Sequence, residues 1–140
     1  MVHIQNVPHI LKNGITHKKS KYSNPDFASI GDISLITTRA SKIIEIDNGV
    51  IGNANYEEIV LGDYIPFYFG VRMPMLYVIQ RGGNFVEKPV AGSDIIYITC
   101  KVESVLKFCP NVYFSDGHAT DNFTSFYDQS NIHRLQEIIN

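Results

Sequence analysis

The chain has 140 residues, of which 44% are hydrophobic and 19% charged, and its formal net charge is −2. That balance is globular rather than disordered and is enough for one core, so a single domain over residues 1–140 is expected. The acidic total disfavours a protein that clamps duplex phosphates through overall basicity. No window approaches the roughly 18–20 apolar residues that cross a bilayer, so no membrane partner is expected.

The opening "MVHIQNVPHI" interleaves polar residues and does not read as a secretory signal, which makes the cytoplasm the expected compartment. "VHIQ" reads as a short strand. Asn6 is placed to cap a helix over Val7–Asn13, with Pro8 in its first turn and Gly14 as its left-handed stop. Val7, Ile10 and Leu11 recur at three and four, which predicts one buried face. "THKKSKYSNPDFASIGD" is polar and carries the Asn24-Pro25-Asp26 turn, so a long loop follows, of the kind that is usually functional or mobile. Lys12, Lys18, Lys19 and Lys21 cluster here with His17, either as a solvated loop or as a landing strip for an anion.

"ISLITTRASKIIEI" is ambiguous between helix and strand, with a helical turn favoured around Ser34–Arg39. Gly49, Gly52, Asn48, Asn53 and Asn55 predict a loop. "IPFYFGV" alternates aromatic and small residues as a strand does, and Pro74 opens a helix over Met75–Gln80 that Gly82-Gly83 ends. "DIIYITCKV" is nearly all apolar and predicts a central strand, "ESVLKFC" a short helix and "NVYFSD" another strand. "DNFTSFYD" and "NIHRLQEIIN" read as helical or irregular. The expected core strands are therefore Phe67–Val71, Ile95–Thr99 and Val112–Phe114. A cleft is expected between the first strand and Phe67–Val71. Helices and strands mix without strict alternation, so the fold class is α+β.

Cys100 and Cys109 form no CxxC and read as buried apolar thiols, with no disulfide framework and no metal site expected. Neither GxGxxG nor GxxxxGK[ST] occurs, and no Ser-His-Asp order or HExxH is present. Arg39 ends an apolar segment, as a surface charge, a core-edge ion pair or a planar fork for a diphosphate. Arg72, between Phe69 and Met73-Pro74, has the same alternatives and is also placed to stack on a flat ligand. On a strand, Tyr68 faces the opposite side from Phe67 and Phe69, as a packed ring with a satisfied hydroxyl or as a cleft residue. His118, in Asp116-Gly117-His118, is either turn chemistry or an exposed imidazole over a cleft, and His3 reads first as structural.

Taken together, "HIQNVPHILKNGITH", "GDYIPFYFGVRMPMLY" and "FSDGHA" resemble, in order and over nearly the whole chain, the DarT family of DNA ADP-ribosyltransferase toxins. The resemblance implies a split sheet with flanking helices that binds NAD, expels nicotinamide and attaches ADP-ribose to a base in single-stranded DNA, most often thymine. It places Val2, His3, Ile15, Arg39 and Tyr68 around NAD, with Arg39 supporting catalysis. The loop from His17 to Asp32 would cover the cofactor, and Arg72, Met75 and His118 would lie toward the DNA. It also implies a macrodomain antitoxin as partner, with the toxin itself a monomer.

Two departures stand out. The family's "AEFLV"-like segment, which carries its catalytic glutamate, is absent, and Glu137 in "RLQEIIN" is in the wrong context to replace it. The family's opening strand also begins a few residues earlier. Both imply a chain trimmed at its ends, severely at the C-terminus, and an inactive fragment of a toxin-like enzyme. The competing reading is a non-catalytic module that binds NAD or single-stranded nucleic acid. A structural protein without a ligand would leave Arg39, Arg72 and His118 as coincidence.

Overall fold

A computed structural model describes residues 1–47, 57–70, 74–83, 85, 86 and 88–139. The loop expected around Asn48–Asn55, Arg72, and Val71 at the end of the expected aromatic strand lie outside these residues. The chain forms two compact units, residues 1–36 with 71–99, and residues 37–70 with 100–140. Helices and short antiparallel strands mix in both, which is the expected α+β class.

In the first unit, β1 (Val2–His3) pairs antiparallel with β4 (Ile95–Ile96), Val2 opposite Ile96 and His3 opposite Ile95. A 3-10 turn over Ile4–Asn6 removes β1 from the ladder after two residues. The strand expected over Ile95–Thr99 therefore shortens to Ile95–Ile96 and is not central. Helix α1 (Val7–Asn13) stops at Gly14, whose φ of 77° only glycine adopts easily. Asn6 does not cap it with its side chain. That side chain, 1% exposed, instead donates from Nδ2 to the Ala28 carbonyl (2.8 Å) and accepts at Oδ1 from the Ala28 amide (2.9 Å). It pins the far end of the long loop as a neighbouring strand would. His9 holds the middle of the same loop, its Nε2 lying 2.9 Å from the Tyr22 carbonyl and 3.3 Å from Thr16 Oγ1. The buried face expected of α1 is incomplete, because Leu11 is 82% exposed. Val7 and Ile10, on the same face, are half-buried.

Helix α3 (Pro74–Arg81) starts at its proline and ends at Gly82, φ 73°, as the punctuation predicts. Among its described side chains Ile79 is the buried one, and the Ile79 carbonyl accepts from the Val90 amide at 3.0 Å.

Helix α2 (Ile33–Ser41) is longer than the turn expected around Ser34–Arg39. Asp32 Oδ1 accepts from the Ser34 and Leu35 amides (2.8 and 3.1 Å) and the Ser34 hydroxyl (2.6 Å), an N-terminal cap. The Ser34 hydroxyl holds the Asp32 carboxyl below its ordinary range; desolvation, the next largest effect, opposes it, and the Leu35 and Ser34 amides add to the lowering.

The second unit is built on a hairpin of β2 (Ile43–Ile46) and β3 (Glu57–Val60), in register from Ile43–Val60 to Ile46–Glu57. Alternation is strict along β2: Ile44 and Ile46 are buried, Ile43 and Glu45 exposed. Ile44, Ile46, Ile59, Leu61 and Phe126 form the core, with Tyr64, Tyr113 and Ala119 packed against it. A second cluster joins Phe114, Tyr127 and Leu135, the rings of Phe114 and Tyr127 stacking at 5.4 Å. These aromatics come from β5 (Phe114–Ser115) and β6 (Phe126–Tyr127), which pair antiparallel. β5 begins two residues later than the strand expected over Val112–Phe114, and β6 lies where helix or irregular chain was expected. Helix α4 (Val102–Phe108) falls on its predicted segment, and α5 (Leu135–Ile139) lies in a segment read as helical or irregular.

The aromatic stretch departs most from expectation. Phe67–Gly70 forms no strand, and Ile65, Phe67, Tyr68 and Phe69 are all exposed. Pro66 supplies no ladder donor, and Gly70 turns the chain at φ 97°. The strand wall expected for a cleft on this side is therefore not built. The cysteines also depart: Cys100 precedes α4 and Cys109 ends it, and both are exposed.

Candidate functional site

Arg39 lies in the last turn of α2, where a cation meets the negative end of the helix. Its Nη2 donates to the Tyr64 carbonyl at 3.2 Å. That carbonyl is available because a 3-10 turn over Leu61–Asp63 ends at Tyr64, whose amide donates back to Leu61 at 3.2 Å. Gly62 permits the turn to approach α2, since a Cβ there would sit 2.3 Å from the Ala40 carbonyl oxygen. Burial lowers the Arg39 guanidinium below its ordinary value, and the nearby Tyr68 phenol opposes that shift. Its other N–H groups make no hydrogen bond among the described residues. A half-buried guanidinium with donors to spare suits a planar or paired anion.

Tyr64 is held in turn. Its ring meets that of Tyr113 edge-on, 5.2 Å between centroids at 87°. The Tyr113 hydroxyl donates to Glu57 Oε1 at 2.7 Å. Tyr113 and Glu57 are not recognisable as site residues from sequence. Tyr113 sits in an ordinary apolar run, and Glu57 is one of two adjacent acids on a strand whose partner lies eleven residues earlier.

Among the nominated residues, the Tyr68 phenol is near enough to Arg39 to influence its charge, and Tyr68 is 53% exposed in a loop. Val2 and His3 are half-buried on β1, where His3 Nδ1 accepts from the Gln5 amide at 3.2 Å, the structural role read first from sequence. Ile15 follows α1 and is exposed, and Met75 is half-buried in the first turn of α3. These four belong to the first unit, Arg39 and Tyr68 to the second. His118 is exposed, its Nδ1 2.9 Å from Thr120 Oγ1 while its carbonyl accepts from Thr124 Oγ1 at 2.8 Å, so it is built into a turn.

An open depression of about 430 Å³ beside β2 is lined by Lys42, Glu45, Asp47, Asp121, Thr124 and Ser125, among others. It contains none of the nominated residues. Its three carboxylates face a single lysine that already donates to the Asp121 carbonyl at 3.0 Å, so it is poorly suited to a diphosphate or a nucleic acid. Among the described residues, no three His, Cys, Asp or Glu side chains gather where they could hold a metal ion. No helix among them is long and apolar enough to cross a membrane.

The chain is 30% identical over 132 residues to a DNA ADP-ribosyl transferase of Escherichia coli O127:H6, covering 94% of this chain and 56% of that protein. It is 26% identical over 140 residues to a DNA ADP-ribosyl transferase-DNA ADP-ribosyl glycohydrolase fusion protein of Thermosipho africanus, covering 99% of this chain and 31% of that one. A DNA ADP-ribosyl transferase of a Thermus strain is 34% identical over 70 residues, half of this chain and 32% of its own length. The chain thus spans between about a third and just over half of these relatives. No solved structure matches it significantly. The family model described as "ssDNA thymidine ADP-ribosyltransferase, DarT" matches residues 1–139, and the chain belongs to the DarT family.

Proposed function

We propose that these 140 residues hold NAD as a substrate for ADP-ribosylation of a thymine base in single-stranded DNA. The observation that carries the reading is Arg39, a half-buried cation aimed by one backbone carbonyl, with its remaining donors unused among the described residues. Those donors fit a diphosphate, whose oxygens a guanidinium takes two at a time. Tyr68, whose phenol influences the Arg39 charge, adds an exposed aromatic side chain to this reading. By the family resemblance alone, the same reading assigns NAD contact also to Val2, His3 and Ile15, and DNA contact to Arg72, Met75 and His118. In the transfer, the bond from C1 of the nicotinamide-bearing ribose to the nicotinamide nitrogen breaks, its electron pair leaving with neutral nicotinamide. The same carbon bonds the base, and the proton displaced from the base is released to solvent.

The carboxylate that would steady the positive charge developing on the ribose has no "AEFLV"-like segment to supply it in this sequence. We therefore assign binding to these residues and expect weak or no transfer from them alone. A missing electrostatic partner of this kind commonly lowers the rate by about 10²–10³. The Thermosipho relative joins a transferase to a glycohydrolase, which supports a partner that removes the mark, as in a toxin-antitoxin pair.

Incubation with NAD and a thymidine-containing single-stranded oligonucleotide tests the reading through the oligonucleotide's mass. Extending the chain with the glutamate-bearing segment of a relative should produce the added mass of ADP-ribose, and changing that glutamate to alanine should remove it. Robust modification by the 140 residues alone would move the catalytic anion to a residue present here, Asp116 or Glu137 first. A non-catalytic binding module would bind NAD and show no transfer in either form.

A further inference from the structure

The side chains behind Arg39 form a continuous path from the core hairpin to the guanidinium. Glu57 opens β3, opposite Ile46 in the register, so its backbone is fixed by the ladder. Its carboxylate accepts the Tyr113 hydroxyl at 2.7 Å, a short hydrogen bond to an ionised group. The Tyr113 ring meets Tyr64 edge-on, and both rings pack on the cluster of Ile44, Ile46, Ile59, Leu61 and Phe126. Tyr64 then presents the carbonyl that receives Arg39. Neither Tyr113 nor Glu57 makes a described contact with Arg39 itself.

We infer that Tyr113, anchored by Glu57, is a positioning residue for Arg39, acting through the Tyr64 backbone. Arginine has several rotatable bonds, and a single carbonyl contact aims it only as well as that carbonyl is fixed. A tyrosine can swing about its own side-chain bonds, so an edge contact alone leaves the ring of Tyr113 free to slide. Its hydroxyl on Glu57 removes that freedom. Burial first, and the Glu57 hydrogen bond next, push the Tyr113 phenol well above its ordinary range, so the hydroxyl keeps the proton it donates. The inference rests on Arg39 as the NAD contact for its functional meaning, but the positioning itself can be read without NAD.

The experiment uses the 140-residue protein and the variants Tyr113→Phe, Glu57→Ala and Glu57→Gln. The Arg39 Nε–H resonance, identified by its loss in Arg39→Lys, reports guanidinium ordering in the absence of ligand. Tyr113→Phe and Glu57→Ala should broaden or shift it, and Glu57→Gln, which keeps an acceptor oxygen, should restore most of it. NAD affinity measured by calorimetry should fall roughly two- to tenfold in the first two variants. In an Arg39→Lys background the same changes should cost little more, because the coupled group is already gone. An unchanged Arg39 resonance in Tyr113→Phe overturns the positioning role, whatever happens to the melting temperature. So do effects that simply add in the double variants. If the wild-type protein binds no NAD, the NAD reading falls, and the resonance still decides the positioning.

Discussion

Two stretches of the second unit are about equally apolar and have opposite fates. Ile43–Ile46 pairs with Glu57–Val60 and buries Ile44, Ile46 and Ile59. Tyr64–Gly70, carrying Ile65, Phe67, Tyr68 and Phe69, forms no strand pairing among the described residues and leaves all four exposed. Apolar content does not separate them. The first has an amide donor at every position and a partner in register, and the second is interrupted by Pro66 and turned by Gly70. The hairpin supplies stability. The irregular stretch supplies a carbonyl for Arg39, which a flat ladder would have consumed.

Substitutions in the two stretches sharpen the contrast. Ile46→Ala removes a side chain with 0% exposure and should cost about 2–5 kcal/mol in denaturant unfolding. Gly62→Ala, at the junction between the stretches, places a Cβ against the Ala40 carbonyl and should cost about 1–3 kcal/mol. It should also shift the Arg39 Nε–H resonance, because Ala40 is the next residue in α2. Phe67→Ser, at 51% exposure, should cost under about 1 kcal/mol. If Phe67→Ser destabilised the protein as much as Ile46→Ala, the comparison would fail, since the aromatic stretch would then be core.

The elements legible in the sequence were those with chemical punctuation. α1 and α3 lie between a proline and a glycine, and the Asn24-Pro25-Asp26 loop has turn residues. The hairpin was not legible. "ITTRASKIIEI" passes from helix to strand at Lys42 with neither proline nor glycine at the change, and β-branched residues lie on both sides. Strand length was overestimated in Ile95–Thr99 because a ladder is limited by its partner, and β1 turns into a 3-10 helix after two residues. Arg39 was legible as a candidate because an arginine ending an apolar helix is conspicuous. Tyr113 and Glu57 were not, because their importance comes from a contact fifty-six residues apart in the chain.

The central claim is that Arg39 is a ligand-holding cation rather than a structural one. Its one described hydrogen bond goes to a carbonyl, so Arg39→Ala should cost only about 1 kcal/mol of stability. A forked contact to a diphosphate is worth roughly 1.5–3 kcal/mol, or about tenfold or more in affinity. Arg39→Lys keeps the charge without the fork and should recover only part of the loss. Titration of NAD into the wild-type, Arg39→Ala and Arg39→Lys proteins by calorimetry is the direct measurement. The account predicts at least about a tenfold loss in Arg39→Ala and an intermediate affinity in Arg39→Lys. Equal NAD affinity in all three proteins would contradict it.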